Sequence, residues 1–201
     1  MSKLMIAMFI SAGLGLALPA AAQTTAPNPG SSTTSKDAYT QAKTKADAQY
    51  QIDKDACSSL SGNAKDICVV EAKGKERVAK AEAQAARENT PKSRENARIA
   101  HAQANYDVAV EKCDDVAGNR KDVCIKEAKA DRVKGKADAK VDRVTVDTRN
   151  DTAAKRTEAR SEASADVREA EYKVAIEKCD ALAGPTKDSC ISGAKVQFGK
   201  S

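Results

Sequence analysis

Residues 172–195 read YKVAIEKCDALAGPTKDSCISGAK, and two closely similar segments occur earlier in the chain. Residues 106–129 read YDVAVEKCDDVAGNRKDVCIKEAK, and residues 50–73 read YQIDKDACSSLSGNAKDICVVEAK. All three copies keep a tyrosine, a cysteine seven residues later, a glycine, a Lys-Asp pair, a second cysteine and a final Ala-Lys. All 6 cysteines of the chain belong to these copies, always with the spacing Cys-x10-Cys. The sequence therefore predicts three copies of one structural module.

A glycine between the two cysteines of each copy predicts a turn between two helices. The glycine is expected to follow the end of the first helix and to adopt a positive φ angle, as is typical of that position. Asn63 and Asn119 are expected to cap the second helix in the first two copies, whereas Pro185 takes this position in the third. An aspartate four residues after each glycine is expected in the first turn of the second helix, where it favours the helix dipole. These glycines and aspartates are Gly62, Gly118, Gly184, Asp66, Asp122 and Asp188. Each copy is thus predicted to be an αα-hairpin.

The cysteines of each copy lie at matching heights in such a hairpin. The first precedes the glycine by five residues and the second follows it by six. Each is therefore about one turn, roughly 6 Å, from the bend, and the pair can reach the Cα separation of about 5.5 Å of a disulfide. The predicted disulfides join Cys57 to Cys68, Cys113 to Cys124 and Cys179 to Cys190. Intermolecular disulfides and metal or redox use are the alternatives, although zinc, haem and redox motifs have other spacings.

The N-terminal residues predict export. Lys3 precedes an apolar stretch over residues 4–18, and the small residues 19–22 predict signal peptide cleavage after Ala22. A retained N-terminal anchor is the alternative. We expect an exported, soluble chain without stable membrane insertion, located in the periplasm if the source is a bacterium with two membranes. Such an oxidising compartment permits disulfides.

The composition favours long helices over a compact core. The chain has no Trp, 2 Phe and 4 Tyr, and much of its apolar content is alanine. Alanine buries little area but forms helices well. The 34 Lys and Arg residues alternate with 29 Asp and Glu residues, which is typical of a solvated helical surface and not of a nucleic-acid-binding patch.

The predicted organisation has five segments: a signal peptide over 1–22, a flexible tether over 23–35, and helical hairpin repeats over 36–89, 90–148 and 149–201. Ser35 is a predicted helix cap, and residues 89–91, Asn-Thr-Pro, are expected to separate two helices. Gly135 and the β-branched residues of 141–152 favour a bend near residues 148–152 over one continuous helix from 120 to 182. Glu71 with Lys75, and Glu76 with Lys80, are predicted ion pairs.

The remaining candidate residues have structural interpretations. Tyr50, Tyr106 and Tyr172 either cover the seam below each disulfide or are exposed anchors for a partner. His101, the single histidine, and Asp114 with Asp115 are predicted to be surface residues. The chain has no phosphate-binding loop, nucleophile elbow or H-E-x-x-H motif. We therefore expect no enzyme, no cofactor and no metal site.

The C-terminal residues 170–201, AEYKVAIEKCDALAGPTKDSCISGAKVQFGKS, resemble a set of small exported Ala/Lys-rich helical proteins of Gram-negative bacteria. These proteins share the signature EKCDALAG-KD-C-AK-FGK, and some are labelled TolA-like or cell envelope biogenesis proteins. The resemblance implies a helical envelope protein. TolA itself is similar only in its Ala/Lys/Glu-rich helical region, so its membrane-bridging mechanism is not transferred.

Together these features predict an elongated all-α protein of three disulfide-tipped hairpins, with long helices and coiled-coil-like seams. The predicted function is that of a non-enzymatic structural or interaction protein of the cell envelope. It would bind a protein partner or itself through helical faces, and would bind no nucleic acid. A periplasmic stress-response or chaperone-like protein is the alternative.

Overall fold

The computed structural model describes residues 32–147 and 153–200, and all regular structure in this part of the chain is helical. The predicted all-α class is thereby confirmed. Two short 3₁₀ segments, Cys57–Ser59 and Cys113–Asp115, follow the first and third helices. The α-helices are α1 (Ser32–Ala56), α2 (Gly62–Glu88), α3 (Pro91–Lys112), α4 (Asn119–Asp147), α5 (Ala153–Cys179) and α6 (Gly184–Phe198).

Helix α1 begins earlier than the sequence predicts. Its first residue is Ser32, so residues 32–35 of the predicted tether are helical and Ser35 lies inside the helix and not at its cap. The prediction of Ser35 as an N-cap is therefore wrong. The predicted signal peptide and residues 23–31 of the tether lie outside the described residues.

The helices pack in chain order, and each makes extensive contact only with the helices directly before and after it in the described residues. Helices α4 and α5 run antiparallel, because Lys126 pairs with Glu177 while Lys140 pairs with Glu162. Helix α5 consequently runs back along α4 in the opposite direction. A continuous helix is excluded, and the predicted turn residues 148–152 lie outside the described part of the chain.

The two neighbours of α3 lie on its opposite sides. A Cβ added at Gly74 of α2 would lie 3.1 Å from the Cβ of Ala104. A Cβ added at Gly135 of α4 would lie 2.8 Å from the Cβ of Ala102. Positions 102 and 104 are about 200° apart around a helix, so α2, α3 and α4 form an open layer and not a closed bundle.

Gly135, which the sequence counts in favour of a bend, does not interrupt the helix. Helix α4 continues through it from Asn119 to Asp147. The absence of a side chain lets α3 and α4 approach closely at Ala102. The free-energy cost of glycine in a helix is thus offset by the closer packing of α3 on α4.

The link between α2 and α3 has the predicted form. Asn89 ends α2 in the left-handed conformation, with φ 48°. The side chain of Thr90 accepts a hydrogen bond from the backbone N–H of Ser93 at 3.0 Å, and Pro91 is the first residue of α3. The Ser93 hydroxyl in turn accepts from the Thr90 backbone N–H at 3.1 Å, which completes a reciprocal cap.

The buried apolar side chains of the described residues are all alanine or cysteine. Side chains of this size contribute little hydrophobic free energy each, so polar contacts between helices carry more of the specificity. The clearest polar cluster is centred on Glu76 of α2, which is only 8% exposed, and it reaches α1 through Lys80. Lys73 donates to Glu76 at 2.8 Å and Lys80 donates to it at 2.5 Å, while Lys80 also pairs with Asp47 of α1.

These hydrogen bonds lower the pKa of Glu76 from 4.5 to about 2, against the opposing effect of burial. The predicted pair of Glu76 with Lys80 is confirmed. The predicted pair of Glu71 with Lys75 is wrong, because Glu71 lies 3.6 Å from Lys112 of α3 and Lys75 lies 3.8 Å from Asp53 of α1. Glu71 and Lys75 thus each pair with a neighbouring helix and not with each other.

We predict that Glu76 makes the free energy of unfolding depend on acidity. Its depressed folded-state pKa contributes stability above pH 4.5 that is lost as the pH falls towards about 2. Urea unfolding followed by circular dichroism should show a steeper loss over this window for wild type than for Glu76→Gln. Glu171→Gln, at an exposed position of α5, serves as control and should keep the wild-type slope.

We also predict opposite effects of two Gly→Ala substitutions. Gly193→Ala in α6 should raise the free energy of unfolding by about 0.5–1 kcal/mol, because an added Cβ meets no atom within 4 Å. Gly135→Ala should lower it by about 1–3 kcal/mol, because Ala102 blocks the new methyl group. Chemical unfolding measures both, and a gain at Gly135 equal to that at Gly193 would contradict the close packing of α3 on α4.

Candidate interaction surface

Each hairpin has a disulfide at its tip. The bonds join Cys57 to Cys68, Cys113 to Cys124 and Cys179 to Cys190, each with a Cα separation of 5.7 Å. The first cysteine of every pair is at most 1% exposed. The predicted intramolecular pairing is confirmed, and three such bonds are typical of an oxidising compartment.

The glycine of each tip has the predicted positive φ angle but a different place in the hairpin. The φ angles are 56° at Gly62, 62° at Gly118 and 57° at Gly184. Gly62 and Gly184 are the first residues of α2 and α6, and Gly118 directly precedes α4. The first helix of each hairpin ends earlier, so the glycine opens the second helix and does not close the first.

The asparagines that follow the first two glycines connect neighbouring hairpins. The Asn63 side-chain amide donates to Oδ1 of Asp115 at 2.7 Å, which joins the first tip to the second. The Asn119 side-chain amide donates to the backbone carbonyl of Glu177 at 2.9 Å, which joins the second to the third. The prediction that they cap their own helices is therefore wrong. Pro185 at the third tip has no amide to donate, and no described hairpin follows it.

The tip aspartates differ in their position relative to the helix ends. Asp122 lies in the first turn of α4, as predicted. Asp66 and Asp188 lie one residue beyond the first turn, because α2 and α6 begin at the glycine. All three side chains are exposed.

The repeated tyrosines lie within their own hairpins, half-buried between the two helices. A cation from the second helix or its C-terminal end approaches each ring face: Lys73 lies 4.8 Å from the Tyr50 centroid and Arg132 lies 4.0 Å from that of Tyr106. Tyr172 has Lys200 at 5.6 Å and Phe198 at 6.0 Å. This geometry supports the seam interpretation over that of exposed anchors. The cations occupy different positions of the three copies, so the repeat gave no signal for them.

The other polar candidates also make structural contacts. Nε2 of His101 lies 2.8 Å from Oε1 of Glu82, which links α3 to α2 at an exposed position. Asp114 pairs with Lys121 at 2.8 Å within the second tip. Within the described residues, no cluster of three or more His, Cys, Asp or Glu side chains is arranged to hold a metal ion.

A groove of about 640 Å³ runs along α4 between α3 and α5. We call it the α4 groove. Its walls include Ile99 of α3 and Ala170 of α5, and its floor includes Val133 and Ala137 of α4. Basic side chains surround this apolar strip, namely Lys126, Lys129, Arg132, Lys136, Lys140 and Lys173, together with the acidic Glu95, Asp166 and Glu169.

The basic side chains of the α4 groove fall into two groups. Lys126 and Lys140 pair with glutamates of α5, and Arg132 stacks on Tyr106. Lys129 and Lys136 are exposed and have no ion pair or hydrogen bond in the described part of the chain. These two lysines are available to a bound partner, and the apolar floor between them provides area to bury.

No family model, curated protein or solved structure matches this chain. The C-terminal resemblance stated above stays a prediction. In the described residues, no helix has both the length and the apolar character that crossing a membrane requires.

We predict that the asparagine bridges couple the hairpins. Asn119→Ala should lower the free energy of unfolding of α5 and α6 by about 0.5–1.5 kcal/mol, because a part-buried hydrogen bond between hairpins is lost. Native-state hydrogen exchange resolves this effect by segment. Asn63→Ala is the matched comparison and should cost less, because its bond to Asp115 is exposed. Unchanged exchange in α5 and α6 after Asn119→Ala would contradict the coupling.

Proposed function

We propose that this protein is a non-enzymatic structural and interaction protein of the cell envelope, which binds protein partners through its helical faces. The α4 groove carries this proposal, because it combines an apolar floor with the unpaired Lys129 and Lys136. A partner with an apolar stripe and flanking carboxylates fits this chemistry. The open layer of helices supports the proposal further, since it leaves both broad faces of α3 and α4 accessible.

The periplasm is the proposed compartment. The three disulfides support an oxidising location, and the predicted signal peptide over 1–22 supports export. Cell fractionation with N-terminal sequencing tests this part of the proposal. The mature chain should begin at Gln23 and should be released with the periplasmic contents.

The chaperone-like alternative has less support from the structure. A holdase needs a continuous apolar surface for its clients. The exposed large apolar side chains of the described residues lie instead on separate segments of the chain, namely Ile52, Leu60, Val146, Leu182 and Val196. The protein should accordingly fail to suppress the aggregation of an unrelated unfolding protein.

Site-specific crosslinking in cells that natively make the protein tests the proposed function. A photoreactive residue at Lys136 should capture a defined envelope protein, identified by mass spectrometry, because this position borders the α4 groove. Asp131 is the matched control, since it lies on the same helix, is exposed and points away from the groove. Capture should fall at least about tenfold at the control position.

Two results would contradict the proposal. Equal capture at Lys136 and Asp131 would show that the groove does not select a partner. Absence of any specific adduct at Lys129 and at Lys136 would show that the α4 groove binds no protein in the cell.

A further inference from the structure

One side of α1 carries a stripe of exposed residues that no described residue covers. Gln41, Lys45, Ala48, Ile52 and Asp55 follow one another at intervals of four and three residues, which is the spacing of a coiled-coil seam. All five are exposed, and Ile52 is 63% exposed. We call them the α1 stripe. It lies opposite α2, because Tyr50, which contacts Lys73 of α2, is about 200° from Ile52 around the helix.

The same side of α3 and of α5 packs against the preceding hairpin. Counted from the first cysteine of each copy, Ala48 corresponds to Ala104 and Ala170, and Ile52 corresponds to Val108 and Val174. Ala104 is buried against Gly74 of α2, and Ala170 lines the α4 groove beside α4. The α1 stripe therefore has the residues of a packing surface, but no hairpin precedes it in the described part of the chain.

The α1 stripe is complementary to a second copy of itself. Lys45 and Asp55 lie five residues on either side of position 50, and Ala48 and Ile52 lie two residues on either side. In an antiparallel pair of α1 helices with a two-fold axis at this level, each Lys45 faces Asp55 of the other copy. Each Ala48 likewise faces Ile52. Neither Lys45 nor Asp55 has an ion pair in the described residues.

The opposite edge of the layer lacks the features that join one hairpin to the next. Pro185 replaces the asparagine that bridges the earlier tips. Helix α6 has 15 residues, whereas α2 and α4 have 27 and 29. This edge therefore does not continue the array into another copy. Association through the α1 edge alone closes as a two-fold dimer and does not form an open chain.

We propose that the α1 stripe is the interface of a homodimer in which two α1 helices pack antiparallel. The inference rests on the proposed function in one respect: the second copy is one of the protein partners bound through helical faces. One pair of helices makes a small interface, so the dissociation constant is expected to be in the micromolar range.

Sedimentation equilibrium of the exported, disulfide-bonded protein tests the dimer between about 1 μM and about 500 μM. Wild type should convert from monomer to dimer over this range, and Ile52→Asp should remain monomeric. Lys45→Glu should weaken association at least about tenfold, because the new carboxylate faces Asp55 of the other copy. The double variant Lys45→Glu, Asp55→Lys should restore it to within about threefold of wild type.

The control is Val196→Asp in α6, at a position that is 82% exposed on the opposite edge. It should leave association unchanged, and circular dichroism should show equal helix content in all variants. A monomeric wild type, a dimer that survives Ile52→Asp, a loss of association with Val196→Asp, or failure of the double variant to restore it would each overturn the inference.

Sedimentation and crosslinking results, taken together, distinguish failure of the dimer from failure of the proposed function. A monomer that still gives the groove-specific adduct at Lys136 in cells overturns the dimer alone. If the purified protein dimerises and Ile52→Asp abolishes the dimer, but cells give no adduct at the α4 groove, only the envelope partner is overturned.

Discussion

The disulfide at each hairpin tip is the constraint on which the rest of the structure depends. The buried apolar side chains of the described residues are alanines and cysteines, so packing between helices supplies little hydrophobic free energy per residue. Helix α6, with 15 residues, is near the length at which an isolated helix is only marginal in water. Each disulfide joins cysteines with a sequence separation of 11 and contributes about 3 kcal/mol to the stability of its hairpin. The tip bond thus holds two helices antiparallel, and weaker contacts between the helices add to its effect.

Close contacts at single residues determine how the hairpins pack against one another. Gly74 and Gly135 let helices approach on both sides of α3, and Asn63 and Asn119 join each tip to the next. Because α2 and α4 lie on opposite sides of α3, these helices form a layer with grooves and edges. The repeat unit therefore explains the scaffold, while the positions that differ between copies distinguish its grooves and edges.

The sequence was sufficient for the hairpins and insufficient for the contacts between them. Cysteine spacing and the positive-φ glycines follow local rules, so both were predicted. The bridge from Asn119 to Glu177 spans 58 residues, and capping by Asn119 was the obvious local alternative. A signal was nevertheless present, since asparagine follows the glycine of the first two tips and Pro185 follows that of the last. Gly135 was misinterpreted because propensity alone penalises glycine, whereas Ala102 makes it necessary. The α4 groove had no sequence signal, because it arises only when three successive helices pack side by side.

Thermal unfolding of the disulfide-bonded protein with and without a thiol reductant tests most directly whether the tip disulfides hold the array together. Circular dichroism at the helical band reports the midpoint in both states. Loss of three bonds, each contributing about 3 kcal/mol, should lower the midpoint by more than about 15 °C and should reduce the helix content at low temperature. A reduced protein with the midpoint and helix content of the oxidised one would contradict the account.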